Sequence, residues 1–267
     1  MLSEKLSASP NRIDLWVARP GDIADETLLT QYRSLLAPDE EIRMQRLVRE
    51  QDRHRFLVTR ALTRVMLSRY LSVDPQKLEF GKNRYGRPFL AKIDTHFQPL
   101  SFNITHTHDC VAIGITRQRT IGIDIESTGR TAAAIGVANR FFSPLEHRAL
   151  NDLPPEHQHT RFFAYWTLKE AYIKARGMGL AIPLSKFSFD FTGPDTFALY
   201  VDEALEDDAS AWQFWQIGVE EEFLVSVCAS ALEGPLPQLK LKEITPFAGE
   251  ASLPYRPVAS SHGWSVS

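Results

Sequence analysis

Two segments of helical period, FLVTRALTRVML at 56–67 and FFAYWTLKEAYI at 162–173, stand one in each half of the chain, and each is followed by several strand-like runs. The longer helical stretches around them cover 53–71 and 161–176. In the first, Phe56, Leu57, Ala61, Leu62, Val65 and Met66 share an apolar stripe and the other face is rich in arginine. A repeated order of helix then strands hints at an internal duplication. It predicts an α+β fold of two pseudo-symmetric lobes, each a long helix packed on a small, mostly antiparallel sheet, rather than a parallel doubly wound sheet.

The expected organisation is a flexible N-terminus at 1–12, an N-terminal lobe at 13–118, a C-terminal lobe at 119–232 and a Pro-rich tail at 233–267. The tail holds five of the sixteen prolines in 35 residues, so an extended arm or disorder is expected there. CVAIGIT at 110–116 and TIGIDIE at 120–126, separated by Arg117, Gln118 and Arg119, read as a hairpin. With 30 Lys and Arg against 33 Asp and Glu, the net charge of −3 excludes an all-over basic nucleic-acid binder. No apolar run approaches a membrane span, and MLSEKLSASP lacks the core of a signal peptide, so a soluble cytoplasmic chain is expected. Cys110 and Cys228 lie inside apolar runs and read as buried thiols, not as a disulfide or metal ligands.

In IGIDIE, Asp124 and Glu126 project to one side of a strand while Ile123 and Ile125 go to the other, placing two carboxylates about 7 Å apart. A wet acidic strand face and a site for a hard cation such as magnesium both fit that spacing. In WTLKEAYIKA, Trp166, Lys169, Glu170, Ile173 and Lys174 share one broad helix face. Glu170 and Lys174 are either a surface i,i+4 pair or a third metal carboxylate with a phosphate-neutralising lysine. Glu146, three residues after Ser143, fits both a capping box and an acid acting on an acceptor hydroxyl. His108 makes H-x-H with His106, but partners for a zinc site are missing. The seven arginines between Arg43 and Arg64 are interrupted by Glu50 and Asp52, so they read as a basic face for a nucleotide or an acidic protein rather than for nucleic acid. GxGxxG and GxxxxGK[ST] loops are absent from the sequence, which removes support for NAD- and ATP-dependent chemistry.

IGIDIE followed by YWTLKEAYIKARGMGL, together with NRYGRPFL at 83–90, FNITHTHD at 102–109 and RFFSPLE at 140–146, resembles the 4′-phosphopantetheinyl transferases of the surfactin (Sfp) type. The resemblance covers about residues 12–231. It implies transfer of the 4′-phosphopantetheine arm of coenzyme A to a serine of an apo acyl or peptidyl carrier protein, giving the holo carrier and adenosine 3′,5′-bisphosphate. It also implies Mg2+ held by Asp124, Glu126 and Glu170, with Glu170, Lys174 and Glu146 as the catalytic set. Coenzyme A contacts are implied for Arg43, Gly86, Arg87, Pro88, Thr105, His106, Lys169 and Lys174. Glu40 stands where one relative type has a lysine, a departure from the family's pattern in the 3′-phosphate region around 40–43. The resemblance further implies a monomer with no nucleic-acid or membrane partner. A coenzyme A or carrier-binding module without catalysis is the alternative.

Overall fold

The computed structural model describes residues 5–91, 99–129 and 141–263; Arg140 of RFFSPLE lies outside them. In the first half the elements are β1 (Arg12–Ala18), α1 (Glu26–Ser34), α2 (Pro38–Gln45), α3 (Glu50–Leu71), β2 (Phe80–Lys82), β3 (Pro88–Leu90), β4 (Leu100–His106) and β5 (Val111–Arg117). There follow β6 (Ile121–Ser127), α4 (Pro144–Asn151), α5 (Pro155–Arg176), β7 (Phe187–Asp190), β8 (Ala198–Val201), β9 (Trp212–Val219), β10 (Phe223–Ser230), β11 (Gln238–Thr245), β12 (Gly249–Ser252) and β13 (Tyr255–Ser260). None of the described helices is long and apolar enough to cross a membrane.

The chain divides into two compact units. The first comprises Met1–Gly81, Pro88–Gln118 and Leu236–Leu253, the second Lys82–Arg87, Arg119–Pro235 and Pro254–Ser267. In the first unit the sheet order is β12-β11-β1-β5-β4, antiparallel except for the parallel β1–β11 pair. The apolar stripe of α3, including Leu57, Val58, Ala61, Leu62 and Val65, is buried with Phe102, Val111, Ile113 and Ile115 in one core. In the second unit β13-β9-β10-β6 forms an antiparallel sheet, and α5 buries Phe162, Tyr165, Leu168 and Tyr172 with Phe214 and Cys228 of that sheet. Each unit is thus a long helix on a mostly antiparallel sheet, the α+β class expected from the repeated order.

Three expectations are corrected. CVAIGIT and TIGIDIE do not form a hairpin: β5 pairs with β1 and β4, whereas β6 pairs with β10 in the other sheet. The link between them is tied to the second unit, because Arg119 donates to Ser230 O at 2.7 Å and to Gln213 Oε1 at 3.0 Å. The Pro-rich tail is not an arm. Its strand β11 runs parallel to β1 and β13 runs antiparallel to β9, so the prolines punctuate strands at their ends and at a bulge after Pro257. Nor is the start of the described chain loose, since Leu6 N donates to Arg69 O at 3.1 Å and Ala8 is buried.

The arginine face of α3 is also largely inward. Arg64 is 1 % exposed and donates to Glu40 Oε2, Pro75 O and Leu78 O. Arg60 pairs with Glu40, and Arg69 donates to Glu250 Oε2 at 2.8 Å. A guanidinium with several donors in a fixed fork suits such multi-carbonyl ties. These side chains join α2, the turn after α3 and β12 to the helix, and are not a basic surface.

Candidate active site

The second unit assembles its acidic cluster from β6 and α5. Register places Asp124 opposite Ser226 and Ser226 opposite Gln216, while Gly122 faces Cys228 and Glu126 faces Leu224. These residues alternate onto the side of the sheet that α5 covers. The carboxylates therefore lie at a helix–sheet seam, and the sheet's opposite face, with Ile123, Ile125, Val225 and Ile217, is buried as well. Gly122 makes the seam tight. A Cβ there would overlap Ala171 O and Ala175 N of α5, so only glycine lets the helix backbone come this close to the strand. Farther along, Ser226 Oγ donates to Thr167 Oγ1 at 2.8 Å and Gln216 Nε2 donates to Ala164 O at 3.1 Å, fixing the same helix against the middle of the sheet.

At the seam, Asp124 is buried and its Oδ1 accepts from Lys174 Nζ at 2.6 Å. Glu170 lies one turn before Lys174 on the same helix and is half-buried. Its carboxyl is pushed up to about 7 by desolvation first, then by the negative charge of Asp124, with Lys174 opposing and Glu126 adding. Asp124 and Glu126 are thus near enough to Glu170 for their charge to bear on its carboxyl. Among the described residues, no three His, Cys, Asp or Glu side chains are gathered at metal-ligating distance. The donor chemistry nevertheless fits a hard divalent cation. The carboxylates of Asp124, Glu126 and Glu170 are hard oxygen donors, and a divalent cation among them would offset the negative charge that Asp124 and Glu126 exert on Glu170.

Two neighbouring side chains depart from their expected roles. Lys169, expected on phosphate, is fully buried at 0 % exposure. Its ammonium contacts Glu146 Oε2 at 2.8 Å, Leu184 O at 2.7 Å and Phe187 O at 2.7 Å, which uses all three protons. Desolvation pushes its pKa down, and Glu146 opposes that shift. Glu146, also 0 % exposed, accepts from Ser143 N and Lys169 on one oxygen and from Phe189 N at 2.9 Å on the other. Ser143 Oγ accepts from Glu146 N in return. The capping-box reading of Glu146 is the one realised, and a carboxylate filled on both oxygens is not placed to take a proton from an acceptor serine.

Arg87 also departs from the phosphate contact that the resemblance implies, because Nη1 donates to Ala175 O at 2.5 Å and Nη2 to Ile121 O at 2.8 Å. Gly86 precedes it at φ +90, a turn position natural only to glycine. In the first unit, Thr105 is buried and His106 is exposed at the end of β4, Pro88 opens β3, and Arg43 is exposed on α2 with its guanidinium 5.8 Å from the Phe56 ring. Glu40, the odd residue for a 3′-phosphate site, points inward to Arg60 and Arg64 and accepts from Ala37 N. The sequence reading missed Gly122 and Asn83. A signal for Gly122 was present: it stands two residues before Asp124 on one face, opposite the small pair Ala171 and Ala175 at i,i+4 spacing.

Residues 120–228 match the model of the 4′-phosphopantetheinyl transferase superfamily, and residues 24–117 match that of the 4′-phosphopantetheinyl transferase N-terminal region. The chain belongs to the 4′-phosphopantetheinyl transferase superfamily. It is 30% identical over 217 residues to a 4′-phosphopantetheinyl transferase of Bacillus subtilis, covering 81% of this chain and 90% of that protein. It is 29% identical over 206 residues to the transferase Sfp of Bacillus subtilis, covering 77% and 87%. Against the transferase HetI of Nostoc sp. it is 36% identical over 156 residues, 58% of this chain and 65% of the length of HetI. The family models thus bracket the acidic seam and the unit carrying His106.

Proposed function

We propose that this family member transfers the 4′-phosphopantetheine arm of coenzyme A to a serine of an apo acyl or peptidyl carrier protein, with Mg2+, as a single chain in the cytoplasm. The observation that carries the reading is the β6–α5 seam, where the strand bearing Asp124 and Glu126 meets the helix turn bearing Glu170 and Lys174. A magnesium ion on these carboxylates would supply positive charge against the diphosphate of coenzyme A.

The chain's own residues account for the rest. The serine Oγ forms a bond to the phosphorus that carries the arm, the bond to the bridging oxygen breaks, and adenosine 3′,5′-bisphosphate leaves with the electron pair. The serine proton passes to Glu170. Lys174, released from Asp124, neutralises phosphate charge as it accumulates on the leaving group. His106 and Thr105 are assigned to phosphate, and Arg43 to the 3′-phosphate. In such displacements alignment and charge neutralisation supply most of the rate.

The test is to incubate the protein with coenzyme A, Mg2+ and an apo carrier and to weigh the carrier by mass spectrometry. One added arm per carrier is expected. A carrier of unchanged mass with a bound, intact coenzyme A would instead identify a binding module. Unchanged turnover of Glu170→Gln at saturating Mg2+ would remove Glu170 as the base.

A further inference from the structure

The end of α5 that carries Glu170 and Lys174 is held by a short loop from far upstream, residues 82–87. Arg87 reaches two carbonyls at once: Ala175 O in the last turn of α5, and Ile121 O at the first residue of β6. Asn83 Nδ2 donates to Gly177 O at 2.6 Å, just past the helix end, where Gly177 adopts φ +66. The other end of the Asn83 amide shapes the loop, its Oδ1 accepting from Tyr85 N at 3.0 Å and Arg87 N at 2.9 Å. Carbonyls of a last helical turn have no intrahelical partner and form the negative end of the helix dipole, so a guanidinium is well matched to them.

The bridged atoms sit beside the residues of the acidic seam. Ala175 follows Lys174, and Ile121 stands three residues before Asp124 on the same strand. A planar fork holding both carbonyls fixes the axial position of the helix end against the strand to within hydrogen-bond tolerance. Gly122 sets the depth of approach at the same place. Both contacts act on the stretch of helix and strand that carries Glu170, Lys174, Asp124 and Glu126.

We infer that Arg87 is a positioning residue, which holds the carboxylate-bearing end of α5 in register with β6 instead of binding a phosphate of the nucleotide. The inference rests on the transferase reading for its consequence in turnover, but not for its binding and folding consequences.

The test compares the wild type with Arg87→Lys, Arg87→Ala and Asn83→Ala. Lysine keeps the charge that a phosphate needs but offers a single nitrogen in place of the two separate Nη donors that hold Ala175 O and Ile121 O, so it does not reproduce the fork. Calorimetry with Mn2+, calorimetry with adenosine 3′,5′-bisphosphate in the absence of divalent ions, and carrier loading are measured on each. Positioning predicts that Arg87→Lys and Arg87→Ala both weaken Mn2+ binding and lower kcat by about tenfold or more, while nucleotide affinity and the KM for coenzyme A stay within about threefold. Asn83→Ala moves the same quantities in the same direction by less. The inference is overturned if Arg87→Ala weakens the nucleotide by about tenfold or more, as loss of a charged phosphate contact would, and Arg87→Lys restores it. It is equally overturned if Mn2+ affinity and kcat are unchanged in both. If Arg87→Ala does not fold, Arg87→Lys decides alone. A wild type that loads no carrier would sink the transferase reading, yet the Mn2+ and nucleotide titrations would still decide the role of Arg87.

Discussion

Lys169 and Lys174 stand five residues apart on α5, both within one turn of Glu170, and both form an ion pair with a carboxylate. Lys169 is sealed: 0 % exposed, its three protons shared among Glu146, Leu184 O and Phe187 O. Lys174, with a side chain 25% exposed, meets Asp124 in a seam that also contains Glu170. One pair joins α4 and the start of β7 to the helix. The other is partly open to solvent and lies beside a second and a third carboxylate, those of Glu170 and Glu126. Helical spacing puts both lysines on a chemically suggestive surface, and depth alone assigns their roles.

The largest effect should come from breaking the sealed pair. Removing one partner of a buried ion pair leaves an uncompensated charge, so Lys169→Met is expected to lose about 3–5 kcal/mol in urea unfolding. Adding Glu146→Leu should return a large part of it. Full activity with unaltered unfolding in Lys169→Met would break the contrast. At the seam, Asp124→Asn should lower kcat by about 10²–10³-fold, a loss of about 3–4 kcal/mol in transition-state stabilisation, with the unfolding midpoint close to wild type. A variant that unfolds without losing turnover per folded molecule would place Asp124 with the structural pair.

A third effect reads out the crowding of carboxylates. Glu170 titrates at about 7 in the folded protein against an ordinary 4.5. Below pH 4.5 both states hold the proton. Between 4.5 and 7 the unfolded chain releases it while the folded protein keeps it, so stability falls as pH rises, by up to about 3 kcal/mol, and then levels off. Chemical denaturation across that range without divalent ions should show the fall, and Glu170→Gln should remove it; an identical slope in the variant contradicts the assignment. The smallest effect belongs to Lys174→Ala, expected to change unfolding by about 1 kcal/mol or less, since the ammonium is partly solvated, while lowering kcat more than tenfold. A stability loss as large as that of Lys169→Met would erase the difference between the two lysines.

Much of this was legible in the residues. Period-2 alternation marks IGIDIE as a strand and the 3.6 period marks FFAYWTLKEAYI as a helix, because both patterns record which faces are buried within one element. Local pattern says nothing of partners far along the chain. The carbonyls that enclose Lys169 come from 184 and 187, and the Glu40 that turns Arg60 and Arg64 inward comes from a different helix. The hairpin reading of 110–126 failed for the same reason: two well-formed strands joined by three polar residues pair more favourably with β1 and β10 than with each other. In the tail, Leu239, Leu241 and Ile244 are buried in β11. Its prolines, at positions where a strand tolerates a missing donor, concealed that alternation.

The account depends most on where a cation goes. Anomalous scattering from crystals grown with coenzyme A and soaked in Mn2+ should give a peak bounded by Asp124, Glu126 and Glu170, with Lys174 moved off Asp124. A peak elsewhere, or the Lys174–Asp124 pair intact beside a bound cofactor, would contradict it.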